Sequence, residues 1–110
     1  MQQEIKSGRL KPNMTFNQKV WALTARIPKG KVVTYGDIAR ALNCNAARAV
    51  GNALNKNPYA PQVPCHRVVG STGALTGFAG GLPKKRRLLQ QEGVPFRANK
   101  VALDTALHRL

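Results

Sequence analysis

The chain has 110 residues, 43% of them hydrophobic, which suits one domain with a modest core and excludes wholesale disorder. Eighteen Lys and Arg against four Asp and Glu give a formal charge of +14, spread along the whole length, so a phosphate backbone is the expected partner. The longest apolar run, residues 20–23, excludes a membrane span, and two cysteines without a CxxC pair point to neither a disulfide framework nor a zinc site.

Residues 1–14, MQQEIKSGRLKPNM, are polar, contain Gly8 and Pro12, and read as a flexible basic leader to a domain over 15–110. They lack the apolar stretch of a signal peptide, so a cytoplasmic address is expected, nucleoid-associated or, in a eukaryote, nuclear. Thr15 with Gln18 fits a capping box, and Phe16, Val20, Leu23 and Ile27 recur at helical spacing until Pro28-Lys29-Gly30 stops them. Val32-Val33 is a brief extended piece. A second helix is expected over about 35–42, burying Ile38, Ala39 and Leu42. After the break Asn43-Cys44-Asn45 a third follows over about 46–55, with Ala47, Val50 and Leu54 on one face. Two short helices joined by a tight break suggest a helix-turn-helix.

Three prolines in residues 57–64 exclude regular helix and deliver a rigid, extended chain to Cys65-His66-Arg67-Val68-Val69. Five glycines in residues 70–81 mark a loop of tight turns or close approach. Pro83 suits the first turn of a helix running through Leu88 and Leu89 to Glu92, with Gly93 as its stop. A further short helix is expected near 101–107. The fold class is mainly α with a minor short β element, strand coming only from Val32-Val33 and Val68-Val69. The architecture is a winged-helix-like, helix-turn-helix DNA-binding domain.

Local chemistry leaves Cys65 two readings. It is either a small buried apolar group or a nucleophile whose proton leaves to His66, directly or through a water, among neighbouring cations. On an extended chain Cys65 and His66 would point to opposite faces. Glu92, one of the few acids, is either a surface group at a helix end or the carboxylate that orients His66.

The blocks 27–39 (IPKGKVVTYGDIA) and 47–54 (ARAVGNAL), Asn57-Pro58, 64–69 (PCHRVV), Gly80-Gly81-Leu82 and 88–93 (LLQQEG) lie in order. Over roughly residues 15 to 94 the chain strongly resembles the C-terminal DNA-binding and active-site domain of the O6-alkylguanine-DNA alkyltransferases (methylated-DNA–protein-cysteine methyltransferases). The resemblance implies direct, stoichiometric DNA repair without cofactor or metal, in which a cysteine takes the alkyl group from guanine O6 in a single turnover. It assigns the nucleophile to Cys65, the base acting through water to His66, the orienting carboxylate to Glu92 and the loop brace to Asn57. Tyr35 would hydrogen-bond the flipped base, and Arg48 would fill the gap left in the duplex. Ala47 and Gly51 would let the recognition helix approach the minor groove of double-stranded DNA closely. Phe78-Ala79 would line the O6 pocket, where many relatives have Tyr-Ser, which loses two hydroxyls. The protein is expected to act as a monomer, away from membranes. The alternative that the resemblance carries is an alkyltransferase-like protein, which binds the lesion and flags it for another pathway without transfer. Such proteins replace the motif cysteine, whereas Cys65 is present here.

Overall fold

The computed structural model describes residues 1–78 and 80–110. Its first element corrects the expectation of a flexible leader. Gln2–Lys6 form helix α1, and Ile5 is fully buried in a cluster with Met14, Ala22 and Val63. A helix this short has no stability of its own, so tertiary burial holds it. Lys6 Nζ lies 5.5 Å from the Tyr59 ring centroid, and that ring meets Trp21 edge-on at 5.9 Å. Arg26 Nε donates to the Gly8 carbonyl at 2.7 Å, tying the segment down further on.

Helix α2 (Phe16–Ala25) begins with the expected capping box, in which the Thr15 hydroxyl accepts from the Gln18 amide and Gln18 Oε1 from the Thr15 amide. It ends before Pro28, and Phe16 faces solvent instead of the core. Strand β1 (Val33–Thr34) runs straight into helix α3 (Tyr35–Ala41), where Thr34 and Asp37 form a second capping box. A turn carrying Asn43 at φ +55° leads to helix α4 (Ala47–Asn55). Helices α3 and α4 form the helix-turn-helix, packed on α2 around Val20, Leu23, Ile38 and Val50. Ala47, expected on the apolar face of α4, is exposed.

Cys65–Arg67 form a 3₁₀ turn, not the extended chain expected from the prolines. Strand β2 (Val68–Val69) follows and pairs in parallel with β1, Val33 opposite Val68 and Thr34 opposite Val69. This ladder fixes the strand that follows the Cys65 turn against the strand that leads into α3. Helix α5 (Leu82–Gln91) has Pro83 in its first turn and Glu92 as its C-cap, with Gly93 at φ +86° as its stop.

The carboxy-terminal part adds strand that sequence reading did not expect, a hairpin of β3 (Phe96–Arg97) and β4 (Lys100–Val101), and then helix α6 (Leu103–Ala106). Val32, Val69, Leu89, Val94, Val101 and Ala106 make a second core under these elements. Gly73 reaches that hairpin at φ +89°, where an added Cβ would lie 2.4 Å from the Val101 carbonyl oxygen, so no side chain fits.

If α1 is integral to the fold, Ile5→Ala costs about 2–5 kcal/mol in urea unfolding, the range for truncating a buried Ile. A loss below about 0.5 kcal/mol, typical of surface sites, would return the segment to the status of a leader.

Candidate active site and nucleic-acid face

The 3₁₀ turn buries His66, leaves Cys65 partly buried and presents Arg67 to α5. His66 Nε2 lies 2.9 Å from Glu92 Oε2. The pair expected from sequence is therefore formed across a separation of 26 residues. Arg67 adds what sequence reading did not assign. Its Nε donates to Glu92 Oε1 at 2.9 Å, its Nη2 to Oε2 at 2.8 Å and its Nη1 to the Ile27 carbonyl at 2.8 Å. This is a two-pronged guanidinium–carboxylate clamp. Burial raises the Glu92 pKa, but the hydrogen bonds from Arg67 and His66 outweigh it and hold the carboxyl below its usual range. Burial also pushes His66 below its ordinary value, with Glu92 opposing. An ionised carboxylate only accepts hydrogen bonds, so Nε2 carries the proton and Nδ1 is left as a neutral, basic lone pair.

Asn57 braces the loop that leads to Cys65. Its Nδ2 donates to the Val63 carbonyl and its Oδ1 accepts from the Tyr59 amide, each at 2.9 Å. Tyr35, first residue of α3, donates from its hydroxyl to the Thr76 carbonyl at 3.2 Å. Burial raises its pKa, a hydrogen bond with Thr76 opposes this, and the charge of Cys65 adds to it.

Sequence reading missed Lys85. Its side chain is completely buried, donating from Nζ to the Thr76 carbonyl at 2.8 Å and reaching the Tyr35 hydroxyl at 3.5 Å. Burial pushes its pKa down to about 8, against the charge of Cys65, which raises it. Lys85 stands one helical turn before the buried Leu89, so a cation on the apolar stripe of α5 was the available signal.

Cys65 opens into a cavity of about 230 Å³ lined by Tyr35, Leu54, Asn57, Phe78 and Lys84 among others. A second, more open cavity of about 450 Å³ shares Tyr35 and carries Ala47, Arg48 and Gly51. The expected thiol and base-contacting groups thus adjoin the expected helix face. Ala79 lies outside the described residues. A cavity of about 510 Å³ against α1 holds none of the expected site residues. Among the described residues no helix is long and apolar enough to cross a membrane, and no three His, Cys, Asp or Glu side chains group as metal ligands.

Residues 15–94 match the family described as 6-O-methylguanine DNA methyltransferase, DNA binding domain. The methylated-DNA–protein-cysteine methyltransferase of Haemophilus influenzae is 47% identical over 89 residues, 79% of this chain and 50% of that protein. The chain spans about half the length of the curated relatives it matches. Among solved structures, S. pombe Atl1 in complex with damaged DNA containing O6-carboxymethylguanine aligns with a TM-score of 0.75 at 32% identity, covering 86% of this chain and 95% of that one. Mycobacterium tuberculosis OGT in complex with DNA aligns at 0.69 and 41% identity, covering 83% and 62%.

The buried Lys85 makes a prediction about stability. Its folded pKa of about 8 lies below the ordinary 10.5, so between those values the unfolded chain holds a proton that the folded one has released. Stability therefore rises with pH across that window, by about 3 kcal/mol relative to Lys85→Met. Urea unfolding of both proteins from pH 7 to 10.5 measures the difference, and a constant difference would place the ammonium in water.

Proposed function

The chain belongs to the family of the 6-O-methylguanine DNA methyltransferase DNA-binding domain, and we propose that it repairs DNA by moving the alkyl group of O6-alkylguanine onto Cys65. The observation that carries this reading is the partly buried Cys65 thiol at the wall of a cavity of about 230 Å³, next in chain to a histidine held neutral and oriented by Glu92. His66 Nδ1 takes the thiol proton through a water, and Cys65 Sγ attacks the alkyl carbon. The carbon–O6 bond breaks, its electron pair passes to the guanine, and Tyr35 hydrogen-bonds the departing base as it takes up a proton. Behind that hydroxyl the Lys85 ammonium supplies fixed positive charge where negative charge develops. The product is a thioether with no easy leaving group, so each protein molecule acts once.

The reacting oxygen lies inside the stacked duplex, so the base must turn out into the cavity. Arg48, exposed on α4, fills the vacated stack, while Ala47 and Gly51 keep that helix face low against the minor groove. The degenerate minor-groove pattern suits a lesion search without sequence preference. Phe78 in place of a hydroxyl-bearing residue makes the pocket wall more apolar.

A second reading, lesion binding without transfer, is supported by the fold match to Atl1. Intact mass before and after incubation with duplex DNA carrying O6-methylguanine separates the two. Transfer adds one methyl group, mapped to Cys65, and Cys65→Ala loses the shift while still binding the lesion. Lesion-dependent binding by the reduced native protein with no mass change would establish the second reading.

The rate should also report His66. Because its pKa lies below 6.5, transfer holds steady down to about that pH and falls only in more acid solution, as Nδ1 protonates. Glu92→Gln removes the group that raises this pKa, so the break moves to lower pH while the plateau drops about tenfold or more. A break that moves upward would contradict the orienting role.

A further inference from the structure

All four carboxylate side chains of the protein are engaged away from the Cys65 cavity. Glu4 pairs with the terminal amine, Asp37 with Arg40, Glu92 with Arg67 and His66, and Asp104 with Arg97. On the described wall of that cavity stands one side chain of full charge, Lys84, and no carboxylate opposes it. Lys84 lies in the first turn of α5 and is exposed. Its Cδ lies 2.9 Å from the point where Gly80 would carry a Cβ, and the Phe78 ring lies 3.0 Å from the same point. The missing side chain at Gly80 thus leaves the lysine stem room beside the Phe78 ring, along the cavity that Cys65 opens into. None of the ion pairs or side-chain hydrogen bonds among the described residues involves Lys84.

We propose that Lys84 is a specificity-determining residue that admits O6 substituents bearing a carboxylate, carboxymethyl being the smallest, to transfer onto Cys65. This rests on the transferase reading above. A carboxylate on the migrating carbon repels the approaching thiolate, and a cation on the same wall offsets that repulsion. The step keeps the balance of ordinary transfer. Sulfur–carbon forms, carbon–O6 breaks, the electron pair leaves on guanine, the thiol proton passes to His66, the guanine takes one proton from water, and His66 returns its own to solvent. The carboxylate stays unchanged on the new thioether. The engagement of every acid elsewhere favours the same class of adduct.

The test uses the full chain and three duplexes, carrying O6-methylguanine, O6-carboxymethylguanine or O6-isobutylguanine, the last a neutral group of matching branched shape. Single-turnover rates are read by intact mass for the native protein, Lys84→Met and Lys84→Arg. The expected result is a carboxymethyl-to-isobutyl rate ratio that falls about three- to tenfold in Lys84→Met, the scale of one partly solvated ion pair, and recovers in Lys84→Arg. An unchanged ratio overturns the proposal. So does equal slowing of all three adducts, which would make Lys84 a contact to the DNA backbone instead. Absence of transfer from O6-methylguanine by the native protein overturns the transferase reading itself, and is distinguished by that first duplex alone.

Discussion

A single carboxylate joins the elements that meet around Cys65. Glu92 caps α5 at its carboxy end, and its two oxygens take three hydrogen bonds from the Cys65–Arg67 turn. Arg67 then carries the connection to the Ile27 carbonyl, in the segment between α2 and β1. A helix, the Cys65–Arg67 turn and the approach to the helix-turn-helix thus share one polar junction. With eighteen cations to four acids, such a junction is not a by-product of abundant pairing. The clamp is largely removed from water, so losing the carboxylate would strand a guanidinium without its counter-charge and free the imidazole to rotate.

Around that junction, burial works against charge and leaves two groups in unusual states. His66 is made less basic than in water and stays neutral, as the proposed proton acceptor must be. Lys85 is also made less basic, yet at about 8 its pKa keeps most of the population charged near neutral pH. Its ammonium is stripped of water and directed at the Thr76 carbonyl and the Tyr35 hydroxyl. A methionine would fill that space without the desolvation cost. A fold that keeps a lysine there sacrifices stability at the point where a departing anionic guanine would need positive charge.

Much of this was legible in the residues, and the exceptions have physical reasons. The Thr15–Gln18 box and the stop at Pro28 are local chemistry, and they placed α2 closely. The Cys65, His66, Glu92 and Asn57 group came from motif blocks in order, because no local rule brings residues 26 apart into contact. Helix α1 was illegible, since Ile5 is its one buried side chain and the reason it folds lies in Met14, Ala22 and Val63. The β3–β4 hairpin turns through Ala98 at φ +55°, with none of the Asn-Gly or Asp-Gly chemistry that announces such turns. Lys85 was overlooked because a lysine is normally read as solvated, although its spacing from Leu89 set it on the buried stripe.

The arrangement also explains why the site needs so little. Under the proposed transfer no step regenerates the thiol, so the protein has no use for a second base, a product exit or a route for hydrolytic water. What remains necessary is commitment at one encounter: a positioned thiol, a neutral histidine, a braced loop and a groove that holds the displaced base. The parallel ladder of β1 and β2 fixes the strand that follows the Cys65 turn against the strand that leads into Tyr35, and Tyr35 and Cys65 line one cavity. Two residues per strand suffice, since Val33 and Val68 bury their side chains in the helical core and Val69 packs into the second. Helix α4 and Cys65 pack on the same core, so under the proposed function α4 cannot shift against the thiol without breaking the packing that holds both.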